Sequence, residues 1–330
     1  MKKNIYVFND GEFRRKDNTF YFETEKGKKY LPVEDVSDIL IFGEVALNKR
    51  FLEFISQKEI CLHFFNYYGY YTGTYYPREH LNSGYMILKQ AEFYLDKNKR
   101  LEIAKALVEG SYKNISQVLN YYYKRGKDVG NTLENIIELS TRIENCKDVS
   151  ELMGIEGNIR ETYYKSFDNI LEKPDFIFKG RSKRPPKNEL NALISFGNSL
   201  LYVLVLSEIY KTHLDPRIGY LHTTNFRRFT LNLDIAEIFK PIIIDRIIFS
   251  LIGKNMITKK DFEKEMGGIL LKEKGRKTFV QEFDNKIRTT ISHRGLGRKV
   301  SYRRLIRMEL YKLQKHLMGE EKYGPYISRW

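Results

Sequence analysis

The chain has 330 residues, 42% of them apolar, with 57 Lys and Arg against 42 Asp and Glu, a net charge of +15. Such an apolar share, with 22 Gly and 8 Pro, excludes a disordered or low-complexity chain, and two cysteines exclude a disulfide scaffold or a Cys-rich zinc site and fit a reducing cytosol. At about 150 residues per domain the length is that of two domains, and the charge favours a polyanionic partner, nucleic acid first.

The start, MKKNIYVFNDGEF, has no apolar run of a signal peptide. Residues 1–76 read as short strands at Ile5–Phe8, Thr19–Glu23, Lys29–Val33, Val36–Phe42 and Ile60–Phe65, rich in β-branched and aromatic residues. Asn9-Asp10-Gly11 reads as a hairpin turn. Asn48–Gln57 reads as one helix, with Phe51, Leu52 and Ile55 on a common face. The Tyr-rich run 67–76 reads as strand packing. Residues 77–84 read as a linker.

Beyond it the apolar period becomes helical. Helices are predicted over 86–108, 115–124, 133–146, 159–171, 189–210, 234–251, 277–291 and 302–317. The fold class is therefore α+β: a small β-sandwich-like domain over 1–84, then a large all-helical domain over 85–330. The longest apolar run, Leu200–Leu206, is far short of the about 20 residues of a membrane helix. A cytoplasmic protein without a membrane partner is expected. Gly324-Pro325 to Trp330 reads as a mobile tail, with a docked course as the alternative. His63, His80, His213 and His316 read as structural or surface residues.

The charge is uneven. Residues 271–330 hold 16 Lys and Arg against 6 acids, and Lys179–Lys187 holds five cations and no acid. Two prolines in that second run forbid a regular helix. It reads as a basic loop suited to phosphates, because guanidinium forks match phosphate oxygens.

Chemistry must come from carboxylates and histidines. Glu156 stands between Gly154 and Gly157 and is predicted near a helix start. His222 follows an apolar helix and a Pro/Gly turn. Asp234 and Glu237 are spaced to share a helix face, where like charges repel unless a cation lies near. Two carboxylates and an imidazole suit Mg²⁺ or Mn²⁺ better than zinc. Such a cation would stabilise charge on a phosphodiester.

The segments ELMGIEGNIRETYY, RSKRPPKNELNALISFGNSLLY, LDPRIGYLHTTNFRRFTLNLDIAEIFKP and SYRRLIRMELYKLQKHL follow in this order behind a β-rich start. In them the chain resembles the CRISPR-associated endonuclease and integrase of spacer acquisition, the first-numbered Cas protein. The resemblance implies a β-rich dimerisation domain and a helical catalytic domain. It implies a metal-dependent DNA endonuclease that joins 3′-hydroxyl ends of foreign DNA into the CRISPR repeat by transesterification. Its metal ligands fall on Glu156, His222 and Glu237, with Asp234 in support, and alanine at any ligand is expected to remove activity and spare the fold. Many members carry Asp where this chain has Glu237, which offers the same ligand chemistry with a longer reach. Arg181, Lys183, Arg184, Arg227 and Arg228 are the expected DNA contacts. The implied partners are double-stranded and branched DNA, a second copy of the chain, and a small ferredoxin-like second Cas protein.

Two alternatives come from other residues. Arg288 and His293 fit the R-x4-H pattern of a metal-independent ribonuclease. A basic chain could also be an architectural DNA-binding protein without activity.

Overall fold

The computed structural model describes residues 2–78, 81, 83–224, 229–265 and 267–329. The chain divides into two compact units, Met1–Asn82 and Ser83–Trp330. Glu79, His80 and Asn82 of the expected linker, Arg227 and Arg228 of the expected DNA contacts, and Trp330 lie outside the described residues.

The first unit contains β1 (Lys3–Val7), β2 (Gly11–Lys16), β3 (Thr19–Thr24), β4 (Gly27–Leu31), β5 (Val36–Ile41), β6 (Val45–Leu47), α1 (Lys49–Gln57), β7 (Cys61–Phe65) and β8 (Tyr71–Tyr75). The strands form two four-stranded sheets, ordered β1-β5-β7-β8 and β4-β3-β2-β6. Phe13 and Phe20 from one sheet, Ile39, Ile41 and Leu62 from the other, and Phe51 and Ile55 from α1 make one buried core. Asn48 caps α1 by accepting from the Phe51 N–H at 3.0 Å, which turns Phe51 to stack on Phe13.

Asn9-Asp10-Gly11 is a corner between sheets, not the expected hairpin. β1 pairs in parallel with β5, while β2 belongs to the other sheet. Asp10 Oδ1 accepts from the Glu44 N–H at 2.8 Å, and a Cβ on Gly11 would fall 2.3 Å from the Glu23 carbonyl oxygen. The tight hairpin turn is Asp17-Asn18, where Lys16 pairs with Thr19 and Asp17 takes a φ of 51°. β2 escapes the sequence reading because GEFRRK buries Phe13 alone.

The second unit runs through α2 (Gly84–Leu95), α3 (Lys97–Tyr123), α4 (Gly130–Ser140), α5 (Val149–Lys165), α6 (Phe167–Leu171), α7 (Glu189–Ile209), α8 (Leu231–Phe239), a π-helical turn at Pro241–Asp245 and α9 (Arg246–Gly253). It continues through β9 (Phe262–Glu265), β10 (Gly268–Leu271), α10 (Glu273–Arg288), β11 (Thr290–His293), β12 (Arg298–Ser301) and α11 (Tyr302–Leu317). The unit is thus mostly helical and not wholly so: β9–β10 and β11–β12 are antiparallel hairpins.

Several helix boundaries differ from the sequence reading, among them the helix expected over 115–124, which is the end of α3, and three have a local reason. Asp96 ends α2 and caps α3, accepting from the N–H groups of Asn98 and Lys99, so the run 86–108 is two helices. Asp148 accepts from the Glu151 N–H while Glu151 accepts from the Lys147 N–H, both at 2.9 Å. This reciprocal cap starts α5 upstream of the glycines and places Glu156 in mid-helix, not at a helix start. Pro241 supplies no N–H, and the ladder opens to a wider turn in which the Asp245 N–H bonds the Lys240 carbonyl at 3.1 Å.

α7 is long and apolar enough to span a membrane, which the run Leu200–Leu206 alone did not suggest, yet 83% of its most apolar stretch is buried inside the protein. Its hydropathy is that of a central core helix. The tail is docked among its described residues. Glu309 Oε1 accepts from the Tyr323 hydroxyl (2.7 Å) and the Tyr326 N–H (3.1 Å), and Asn114 binds the Tyr326 carbonyl and the Ser328 N–H. Asn114 also donates to the Ile238 carbonyl of α8, on which Tyr326 stacks through Phe239. The tail therefore braces α8.

Candidate metal centre

α8 places Asp234 and Glu237 one turn apart. Asp234 is fully buried and binds the loop before it. Its Oδ2 accepts from the N–H groups of Tyr220 (2.5 Å) and Leu221 (3.0 Å), and its Oδ1 from that of His222 (2.9 Å). The same Oδ1 meets His222 Nδ1 at 2.8 Å. Gly219 is required at this turn, since a Cβ would fall 2.7 Å from Asp234 Oδ2. A carboxylate on Nδ1 sets the proton there and leaves Nε2 as the ligand nitrogen. Burial pulls the His222 pKa down, but the Asp234 bond and the charges of Asp234 and Glu237 outweigh it and hold it above the ordinary value.

Arg160 ties Glu156 to Glu237. Its Nε and Nη2 each lie 3.3 Å from Glu156 Oε1, and Nη2 also donates to Ser111 Oγ (3.0 Å) and to Glu237 Oε2. Lys240 donates to Glu237 Oε1, with its ammonium 5.0 Å from the Tyr202 ring centroid. Burial would raise the Glu237 pKa; Lys240, Arg160 and His222 reverse this and hold the carboxyl well below the usual range. In return, Glu237 raises Lys240, and Glu237 and Glu156 raise Arg160, against the desolvation of each cation.

The structure thus joins Glu156 and Glu237 through one guanidinium and brings His222 into the field of Glu237. It does not gather the three ligand atoms within 4.8 Å of one another, because Arg160 and Lys240 fill the space at the carboxylates. The donor set nevertheless fits a hard divalent cation: two carboxylates, and an imidazole whose other nitrogen is held by an aspartate. Gly154 and Gly157 do not break α5. They are exposed, and a Cβ at either would meet nothing, so the helix is bare beside Glu156.

Arg181 is a loop anchor, donating to Asn191 Oδ1 (2.9 Å), Ser195 Oγ (3.1 Å) and the Ser182 carbonyl. Lys187 reaches the Gly267 carbonyl at 2.7 Å. Lys183 and Arg184 are exposed. Desolvation, Arg181 and Lys240 push the Lys183 ammonium pKa down, while Glu237 and Glu156 pull it up. The loop therefore brings Lys183 into the field of the same carboxylates.

Sequence reasoning missed Arg160 and Lys240, although each follows its glutamate at helical spacing, i to i+4 and i to i+3. It also missed a grouping in the first unit: ligand atoms of Asp38, Cys61 and His63, all buried, lie within 4.8 Å of one another and form a possible metal-binding group. Parallel β5 and β7 set Asp38 opposite Cys61 and Leu40 opposite His63, so alternate residues of both strands share a face. Thr74 Oγ1 holds His63 Nδ1 at 2.8 Å. Of the ribonuclease alternative, Arg288 ends α10 paired with Asp284 at 3.3 Å, whereas His293 is on β11.

Comparison with known proteins identifies the family of the chain. Residues 5–285 match the family model described as CRISPR associated protein Cas1. The chain is 61% identical over 330 residues to CRISPR-associated endonuclease Cas1 2 of Thermodesulfovibrio yellowstonii, covering 100% of both chains. A solved Cas1 protein from Thermotoga maritima superposes with a TM-score of 0.89 at 51% identity, covering 98% of this chain and 99% of that one. A casposase bound to integration product shares the fold, with a TM-score of 0.87 at 21% identity, covering 99% of this chain and 96% of that one.

Proposed function

The chain belongs to the Cas1 family of CRISPR-associated proteins, and from that membership we propose that Glu156, His222 and Glu237 hold one Mg²⁺ or Mn²⁺ ion at which DNA strands are cut and joined. The relatives' name is that of a CRISPR-associated endonuclease, and the joining of strands as an integrase is part of this reading. The observation that carries the metal reading is His222 fixed by Asp234 through Nδ1 at 2.8 Å, one helical turn from Glu237, which Arg160 ties to Glu156.

In the joining reaction the 3′-oxygen of a short duplex attacks phosphorus at the edge of the CRISPR repeat. The bond to the leaving 3′-oxygen breaks; the attacking hydroxyl gives its proton to solvent, and the leaving oxygen takes one up as a new 3′-hydroxyl. A divalent cation supplies charge neutralisation at that phosphate. Asp234 keeps the imidazole oriented, and Arg160 and Lys240 offset the carboxylates so that an anionic strand can approach. The partners in this reading are double-stranded and branched DNA, a second copy of the chain joined through its β-rich unit, and a small second Cas protein, in the cytoplasm.

The direct test is joining of a 3′-hydroxyl duplex to a repeat-bearing plasmid, with and without Mn²⁺ and the second Cas protein. Joined product should need both the cation and the 3′-hydroxyl. Product formed equally in chelator, or from a 3′-deoxy end, refutes the reading. Lys183 and Arg184 are the loop cations proposed to meet DNA, whereas changing Arg181 would disturb the loop itself. Lys183→Ala with Arg184→Ala should flatten the salt dependence of duplex binding by up to about 0.9 in log–log slope for each phosphate that is no longer neutralised. An unchanged slope leaves the loop without a DNA role.

A further inference from the structure

The β-rich unit holds a buried polar trio outside the proposed centre. Its sheet β1-β5-β7-β8 uses both faces. Ile39, Ile41 and Leu62 enter the apolar core on one face. The alternation of β5 and β7 turns Asp38, Cys61 and His63 to the other, where all three are at most 1% exposed. Three ionisable side chains in so dry a place are costly unless something offsets them. The parallel register pairs Asp38 with Cys61 and Leu40 with His63, and one ligand atom of each trio member lies within 4.8 Å of the other two. Thr74 stands opposite His63 on β8. Its Oγ1 meets His63 Nδ1 at 2.8 Å and the Tyr71 hydroxyl at 2.7 Å.

We propose that Asp38, Cys61 and His63 supply three of the four ligands of a tetrahedral Zn²⁺ ion that fastens β5 to β7, a site distinct from the carboxylate centre. Bonds of about 2.0–2.3 Å put tetrahedral ligand atoms about 3.4–3.6 Å apart. No pair therefore has to close by more than about 1.4 Å from the limit of 4.8 Å, a movement that side-chain rotation supplies while the strands stay paired. The donors select the metal. Thiolate and imidazole suit zinc, whereas Mg²⁺ and Mn²⁺ favour oxygen donors such as those of Glu156 and Glu237. Charge points the same way: Zn²⁺ with one carboxylate, one thiolate and a neutral imidazole sums to zero, and a buried site then needs no further counter-ion. The Cys61 thiol gives its proton to solvent as the ion enters. Thr74 Oγ1 accepts from His63 Nδ1–H, which leaves the Nε2 lone pair for the metal. Three strands are thereby tied, β5 by Asp38, β7 by Cys61 and His63, and β8 through Thr74. The unit Met1–Asn82 is of the size at which a single core is marginal and a metal staple adds directly to folding.

The experiment takes the full chain, reduced and stripped of metal, and titrates it with Co²⁺ as a coloured stand-in for Zn²⁺, with excess Mg²⁺ competing for the carboxylate centre. One equivalent of Co²⁺ should develop a thiolate-to-metal charge-transfer band in the near ultraviolet and the visible bands of a tetrahedral ion. One equivalent of Zn²⁺ should abolish both and raise the thermal midpoint, and a chelator should reverse the rise. Cys61→Ser should lose the charge-transfer band, and His63→Gln should lose the bound equivalent. Cys146→Ser should keep the band, which assigns the thiolate to Cys61. Thr74→Val should keep it too and weaken Zn²⁺ binding about tenfold to hundredfold. Glu237→Gln should leave the band untouched, so the two centres stand or fall separately. A parent chain without the charge-transfer band overturns the proposal and leaves the trio a hydrogen-bonded cluster, and this result needs no variant to fold. A band that survives Cys61→Ser overturns it equally.

Discussion

Glu237→Gln lowers the cation-dependent cutting and joining rate by about a hundredfold to a thousandfold, the range for removing one preorganised electrostatic group from a reacting centre. Glutamine keeps the size of the side chain and its hydrogen-bonding reach but removes the charge. Alanine is the poorer probe here. The Glu237 carboxylate is bonded to both Lys240 and Arg160, and all three are largely shielded from water. Truncation leaves a buried ammonium without a counter-ion, at about 3–5 kcal/mol. An inactive alanine variant could therefore be inactive because it unfolds, against the sequence-based expectation that ligand substitutions spare the fold. Glu156→Gln offers a control, because Glu156 is the more exposed carboxylate and bonds only Arg160 among the cations described. Single-turnover rates with Mn²⁺, read beside the thermal midpoint, settle the matter. A Glu237→Gln rate within threefold of the parent removes Glu237 from the ligand set.

The proposed ligands stand out in the sequence because each lies in a short motif; their local settings do not. Two glycines flanking Glu156 place it near a helix start on paper, since each costs a helix about 1 kcal/mol. The Asp148–Glu151 cap and the packing of Ile155 and Ile159 override that cost. Asp234 could be read as a cap of its own helix. It instead closes the loop before it, a relation between residues 12 to 14 positions apart that no period encodes. The cations at the centre were legible as i, i+3 and i, i+4 partners, but such pairs are usually solvated and carry little information. Distance in the chain limits the tail as well: its hold on α8 runs through Asn114 and Glu309, 14 to 214 positions away.

Glu208 is a second position where a large loss of stability is expected, and it is outside the proposed ligand set. It is fully buried near the end of α7, where Oε1 meets Arg303 Nε at 2.7 Å and Oε2 meets Arg307 Nε at 2.6 Å. Lys211 lies 3.5 Å from Oε1. One carboxylate thus fastens the strongly basic α11 to the core helix α7. Burial would raise its pKa, but Lys211, Arg303 and Arg307 prevail and lower it to about 2. Glu208→Ala leaves those cations at a buried seat without their shared acceptor and should cost about 3–5 kcal/mol. Denaturation midpoints of the helical unit would register it, and a shift below about 1 kcal/mol would show that solvent already screens the cluster. The sign with pH follows from the direction of the shift. A folded pKa below the unfolded value of about 4.3 gives stability that is present above about pH 4.3 and lost as pH falls towards 2. Glu208→Gln should remove the Glu208 share of that acid-limb slope. Because α11 also carries Glu309, which holds Tyr323 and the Tyr326 N–H, loosening α11 should release the tail from α8. Hydrogen exchange in Glu208→Gln should therefore rise in α11, in residues 323–329 and in α8 together. Faster exchange confined to α11 would mean that the brace on the Glu237 helix is independent of Glu208.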